Sequence, residues 1–227
     1  MFFDFIFHFP FSVFHYFSIR VKLFYMAKKP RILAFAGSLR EHSFNKRVLR
    51  AAIAGARAAG ADVTEIDLRE YPMPVYNPDE HLQNGFDENA ARFQQILSEH
   101  DGLLIATPEY NGSLPGGLKN AIDWASRKSD KFGLIEVFKG KTAAIMTASP
   151  GSFGGIRCLA HLRGVLSIML VNVLPMEIAV TFVADKFQAD TEEMTDEKTK
   201  KILEDLGAQL AEMLRKTHVE TEAAAGE

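Results

Sequence analysis

Three stretches of the chain combine residue types suited to holding a ligand by main-chain groups and short side chains. The first is Gly37-Ser38-Leu39-Arg40-Glu41-His42-Ser43-Phe44-Asn45. Gly37 lets the backbone turn sharply, and Ser38, Ser43 and Asn45 place short polar side chains at the start of a helical pattern. Free amides and the positive dipole end of such a helix favour an anion. Arg40 adds a planar charge that pairs phosphate oxygens bidentately. The set suits a terminal phosphate monoester, although helix capping by Ser43 with a solvated Arg40 accounts for the same residues without a ligand. The second stretch, 107–117, reads TPEYNGSLPGG. Tyr110 offers an aromatic face, Asn111 a donor and an acceptor, and Gly112, Gly116 and Gly117 allow close approach to a flat heteroaromatic ligand. The third, 149–155, is the glycine-rich SPGSFGG.

Other chemistries are poorly served. The first loop matches neither the G-x-G-x-x-G of dinucleotide-binding folds nor the G-x-x-x-x-G-K-[ST] of ATPases. A net charge of −3 leaves no basic footprint for nucleic acid. The single cysteine, Cys158, excludes an internal disulfide framework and a C-x-x-C pair. It sits on an apolar helical face, which suits packing better than nucleophilic work. Seven scattered histidines argue against a structural metal site.

The elements that must position these loops alternate. Strand patterns fall at 31–36, 62–68, 102–107, 141–148 and 171–177, and helical patterns at 44–59, 87–99, 117–127, 154–170 and 195–216. The proline-broken run 71–78 suits neither, and the acidic, alanine-rich tail 219–227 is expected to fray. Five apolar strands separated by helices imply right-handed crossovers and a parallel sheet covered on both faces. In such α/β sheets ligands sit beyond the carboxyl ends of the strands. All three loops leave that edge.

Gly37-Ser-Leu-Arg40…Ser43…Asn45 and Pro108-Glu-Tyr-Asn-Gly-Ser113 resemble the motifs of the NADPH-dependent FMN reductase family, which includes quinone, chromate and azo-compound reductases. The likeness continues through Leu118-Lys-Asn-Ala-Ile-Asp-Trp124 and Ser149…Gly154-Gly155…Arg157…Leu162-Arg163, over roughly residues 30–185. It implies a flavodoxin-like three-layer sandwich with a five-stranded parallel sheet of order 2-1-3-4-5. It further implies that Ser38, Arg40, Ser43 and Asn45 hold the FMN phosphate. Pro108, Glu109, Tyr110 and Asn111 would line the isoalloxazine ring, with Ser149 and Gly151 closing its other side. Arg157 would attract the phosphate of the nicotinamide nucleotide, pair across subunits or serve as plain surface, and Arg163 would be interfacial. NADPH or NADH would reduce the flavin in a ping-pong reaction with a quinone or related acceptor, in a homodimer or homotetramer. Residues 129–137 depart from the family's usual proline-rich approach to the fourth strand. A flavodoxin-like electron carrier or a non-catalytic flavin-binding module would share these loops.

Nine of the eighteen Phe fall in residues 1–25. The run lacks the charged start and cleavage site of a signal peptide, and Asp4, His8, Pro10 and His15 interrupt it as a membrane span. A translation start at Met26 is the preferred reading, with an anchor or signal as alternatives. The expected fold therefore spans 26–218, in a cytoplasmic protein.

Overall fold

The computed structural model describes residues 29–188 and 191–225. The Phe-rich run and Met26 lie outside them. The strands are β1 (Arg31–Ala36), β2 (Asp62–Asp67), β3 (Gly102–Ala106), β4 (Thr142–Ala148) and β5 (Asn172–Val180). All neighbours pair in parallel, in the order β2-β1-β3-β4-β5.

The helices are α1 (Phe44–Ala58), α2 (Pro78–Asn84), α3 (Glu88–Ser98), α4 (Gly116–Ala125), α5 (Ile156–Ile168) and α6 (Glu197–Ala225). Alternate strand residues feed two cores, because side chains along a strand point to opposite faces. Ile32, Ala34 and Ala36 pack with Val48, Leu49 and Ile53 of α1 and Leu203, Leu206 and Leu210 of α6. Leu33 and Phe35 pack with Phe93 of α3, Leu118 and Ile122 of α4 and Leu159 and Leu162 of α5. Burial on both faces explains why the strands read as continuous apolar runs. Lys29–Leu214 make up one compact unit, and the end of α6 from Arg215 lies outside it.

Three elements differ from expectation. Helix α2 forms directly after the proline-broken run: Asn77 caps it, its Oδ1 accepting from the Asp79 amide at 3.0 Å, and Pro78 occupies the first turn. Helix α6 continues past Lys216 to Ala225, so residues 219–225 of the tail are helical; Ala and Glu are strong helix formers. Strand β5 extends to Val180 and carries a register shift opposite Ala143/Ile145. Pro175 is tolerated there on an edge strand. Arg163 of α5 fills the irregularity, donating to Val173 O, Leu174 O and Glu177 Oε2 at 3.2, 2.9 and 2.6 Å. Its guanidinium serves the sheet edge within its own chain. No helix among the described residues is long and apolar enough to cross a membrane.

Candidate active site

The loop between β1 and α1 starts at Gly37, where a Cβ would press to 2.7 Å from Leu118 Cδ2. Ser38 is buried and its Oγ accepts from the Arg40 amide at 3.3 Å. Ser43 is the N-cap of α1, its Oγ accepting from the Asn45 amide at 3.2 Å. The rest of the first turn lacks intrahelical acceptors. No acidic residue lies in that turn, which instead carries Lys46 and Arg47. Acids normally favour this end of a helix, so the arrangement leaves it open to an external anion. Arg40 is exposed, and among the described residues its guanidinium has no partner. This donor set fits a phosphate group.

The Asn45 side chain is engaged within the protein. It is 3% exposed and turned to the end of β4, donating from Nδ2 to Ala148 O at 3.0 Å and accepting at Oδ1 from Ala148 N at 2.9 Å. It braces the first loop against the third.

Beyond β3, Tyr110-Asn111-Gly112-Ser113 closes into a tight hairpin. Tyr110 and Ser113 exchange main-chain hydrogen bonds at 2.9 and 3.0 Å. Asn111 and Gly112 both have positive φ, 53° and 77°, the pattern of a type I′ turn, for which Asn-Gly is the preferred pair. Tyr110 is 47% exposed. Its hydroxyl and the Asn111 amide have no side-chain partner among the described residues, so both can address a ligand. Pro108 is buried just behind the turn.

The Glu109 carboxylate turns toward α5. Oε2 accepts from the Arg157 amide at 3.1 Å, and Oε1 accepts from Arg157 Nε and Nη2 at 2.8 and 2.5 Å. Hydrogen bonds from Arg157 hold the Glu109 carboxyl below the usual carboxylate range. The guanidinium also lies over the Phe153 ring, 5.5 Å from its centroid. One helical turn further on, His161 Nδ1 and Ser113 Oγ share a hydrogen bond of 2.9 Å. Positions 157 and 161 lie on one face of α5, so the hairpin is pinned at both ends to that helix.

The third loop wraps the end of β4. Ser149 Oγ accepts from the Gly151 amide at 3.1 Å, and Gly151 O accepts from the Gly154 amide at 3.2 Å. Gly155 caps α5 with φ 92°, and a Cβ there would collide with Thr147 Oγ1. Glycine is therefore required on both backbone and steric grounds. Phe153 is 65% exposed beside this turn. Cys158 is fully buried, and burial pushes its thiol up to about 11, which leaves it un-ionised and unreactive at neutral pH.

Sequence reasoning passed over a charged cluster at the end of β2. Asp67 Oδ2 accepts from Lys46 Nζ at 2.6 Å and from Arg69 Nε and Nη2 at 2.9 and 2.8 Å. Burial raises its carboxyl, but the hydrogen bonds from Arg69 and Lys46 outweigh that and bring it to about 2. Its signal was present: Asp67 stands two residues before Arg69, at a strand end beside a ligand loop. No group of three His, Cys, Asp or Glu side chains among the described residues is placed to hold a metal ion.

Three loops thus converge on one sheet edge, one fitted to a phosphate and two flanking it with an aromatic and a glycine-rich wall. Residues 30–185 match the family model described as NADPH-dependent FMN reductase. An NAD(P)H-dependent FMN reductase of Pseudomonas aeruginosa is 37% identical over 180 residues, covering 79% of this chain and 92% of the relative. A quinone reductase of Escherichia coli is 35% identical over 179 residues, covering 77% and 89%. Among solved structures, the flavoenzyme NAD(P)H:(acceptor) oxidoreductase FerB of Paracoccus denitrificans superposes with a TM-score of 0.68 at 30% identity, covering 82% of this chain and 98% of that one. On fold, on the order of its loops and on these likenesses, the chain belongs to the NADPH-dependent FMN reductase family.

Proposed function

We propose that the protein binds FMN at the carboxyl edge of its sheet and reduces quinones or related acceptors with NAD(P)H. The observation that carries this reading is the anion-fitted start of α1, with its unpartnered Arg40, beside two loops that present Tyr110 and Asn111. Ser38, Arg40 and Ser43 hold the phosphate. Pro108, Tyr110 and Asn111 address the polar edge and face of the ring, and Ser149 and Gly151 close its far side. Asn45 and Glu109 act one step back: they fix the distances between the three loops, so that the ring enters a preformed slot. When bound, FMN would supply two-electron hydride chemistry between NAD(P)H and the acceptor. Phe153, exposed at the mouth of the slot, offers an aromatic surface to a flat acceptor. The protein works in the cytoplasm as a homodimer or homotetramer.

The test is the absorbance spectrum of purified, FMN-loaded protein under anaerobic conditions. Bleaching by NADPH and recovery with a quinone support the reading. A flavin left oxidised by both NADPH and NADH would refute it in favour of an electron carrier or a binding module. Light scattering during size-exclusion chromatography tests the assembly.

A further inference from the structure

A dinucleotide that reduces flavin carries an adenosine half that can lie along the same sheet edge, and the chain has a cleft of about 490 Å³ there, within the range of small-molecule sites. It opens between Leu39 of the first loop, Arg69 at the end of β2, and Gly117 at the start of α4, with Tyr71, Pro72 and Met73 as its wall. Another cleft, of about 510 Å³, runs along α3 past Arg92 and Glu99 to Phe132 and takes no residue from the three ligand loops. From β4, where the third loop begins, to β2 is three strand steps, about 14 Å across the sheet. An extended dinucleotide has that reach.

We propose that this cleft receives the adenosine half of NAD(P)H, with Arg69 meeting the ribose 2′-phosphate of NADPH. The proposal rests on the reductase reading above. Three features of the cleft fit such an occupant. Its aromatic and proline wall suits a flat purine. The Asn120 side chain holds the 73–76 segment in place, accepting from Tyr76 N at 2.8 Å and donating to Pro74 O at 2.9 Å, so the wall is preformed. Arg69 uses Nε and Nη2 on Asp67, and among the described residues its Nη1 has no partner. Of the other cations of this edge, Arg40 is given to the flavin phosphate in the reading above, Arg157 is held by Glu109, and Lys119 by Asp123 at 2.7 Å. Glu41 and Glu70 also act on Arg69. Discrimination of NADPH from NADH in this cleft would then rest on directed hydrogen bonds more than on net charge.

The experiment compares NADPH, NADH and 1-benzyl-1,4-dihydronicotinamide, a hydride donor without adenosine, on FMN-loaded protein. For Arg69→Gln, kcat/KM with NADPH should fall about tenfold or more, with NADH and the truncated donor within twofold of the parent. Pro72→Trp, which fills the cleft from its exposed wall, should raise KM for both dinucleotides and leave the truncated donor unaffected. Calorimetry with adenosine 2′,5′-bisphosphate gives a readout without turnover: binding to the parent and loss in Arg69→Gln uphold the cleft. Unchanged NADPH-to-truncated-donor ratios in both variants would overturn it, as would inhibition of the truncated donor by the bisphosphate, which would place that nucleotide over the flavin. Should no donor reduce the flavin, the reductase reading falls, and the calorimetric result alone decides whether the cleft takes an adenosine phosphate.

Discussion

Asn45→Ala separates a brace from a phosphate contact. The buried amide satisfies both main-chain groups of Ala148, at 3.0 and 2.9 Å, and its loss strands a donor and an acceptor at the end of β4. An unsatisfied buried polar group costs about 1–3 kcal/mol. Alanine is the better helix former at this first-turn position, and some water will reach the cut, so we take about 3 kcal/mol for the pair. Against a typical stability of about 5–15 kcal/mol, that is a large loss, and it corresponds to a fall in melting temperature of roughly 6–12 °C for a domain of this size. The assay is a pair of thermal and urea melts on FMN-free protein, followed by FMN titration. The brace requires the apoprotein to lose stability and FMN affinity together. Superimposable apoprotein melts with weakened FMN binding would refute the reasoning and return Asn45 to direct contact with the phosphate. Asn45→Asp, which keeps an acceptor for the Ala148 amide but faces its carbonyl with an anion, should fall at least as far.

Glu109→Gln removes the charge that holds the β3 hairpin to α5, and FMN affinity should weaken about tenfold, measured by fluorescence quenching. Because the folded pKa of Glu109 is depressed, its contribution is fully present above the ordinary carboxylate pKa and is lost as pH falls through the folded value. The parent should therefore keep its affinity from pH 7 to 5, and an earlier loss would count against the strut. The same sign holds for Asp67: its clamp of Lys46 and Arg69 persists above about pH 4 and releases as pH falls toward about 2. Asp67→Asn should then flatten the acid limb of a stability-against-pH curve, and an unaltered limb would show that the clamp contributes nothing. Native protein should resist a thiol-specific disulfide reagent at pH 7.5 and react at Cys158 once denatured, counted by absorbance, because burial holds that thiol near 11. Rapid labelling of the native state would mean that α5 opens readily.

How much of this was legible in the sequence depends on whether the physics was local. The five strands, their parallel pairing and the three ligand loops followed from apolar runs punctuated by Gly and Pro, signals carried by neighbouring residues, whereas the strand order 2-1-3-4-5 came from the family resemblance. The Asn111-Gly112 turn was equally local, a preferred pair for two positive φ values. Helix α2 was readable too, from the cap-and-proline pair Asn77-Pro78, but the preceding prolines masked it. What the sequence withheld was the partner of each polar side chain. Asn45 and Ala148 are 103 positions apart and Glu109 and Arg157 are 48 apart. Nothing local to either pair distinguishes a residue that touches a ligand from one that fixes the loop beside it. That ambiguity is sharpest where a site is preorganised, because the ligand loops and their braces draw on the same short polar and charged types. In this fold the braces run between loops. Asn45 ties the first loop to the third and Glu109 ties the second to the helix after the third, so a change at either is felt across the slot. Functional residues here are accordingly better sorted by what each side chain already bonds than by the motif that contains it.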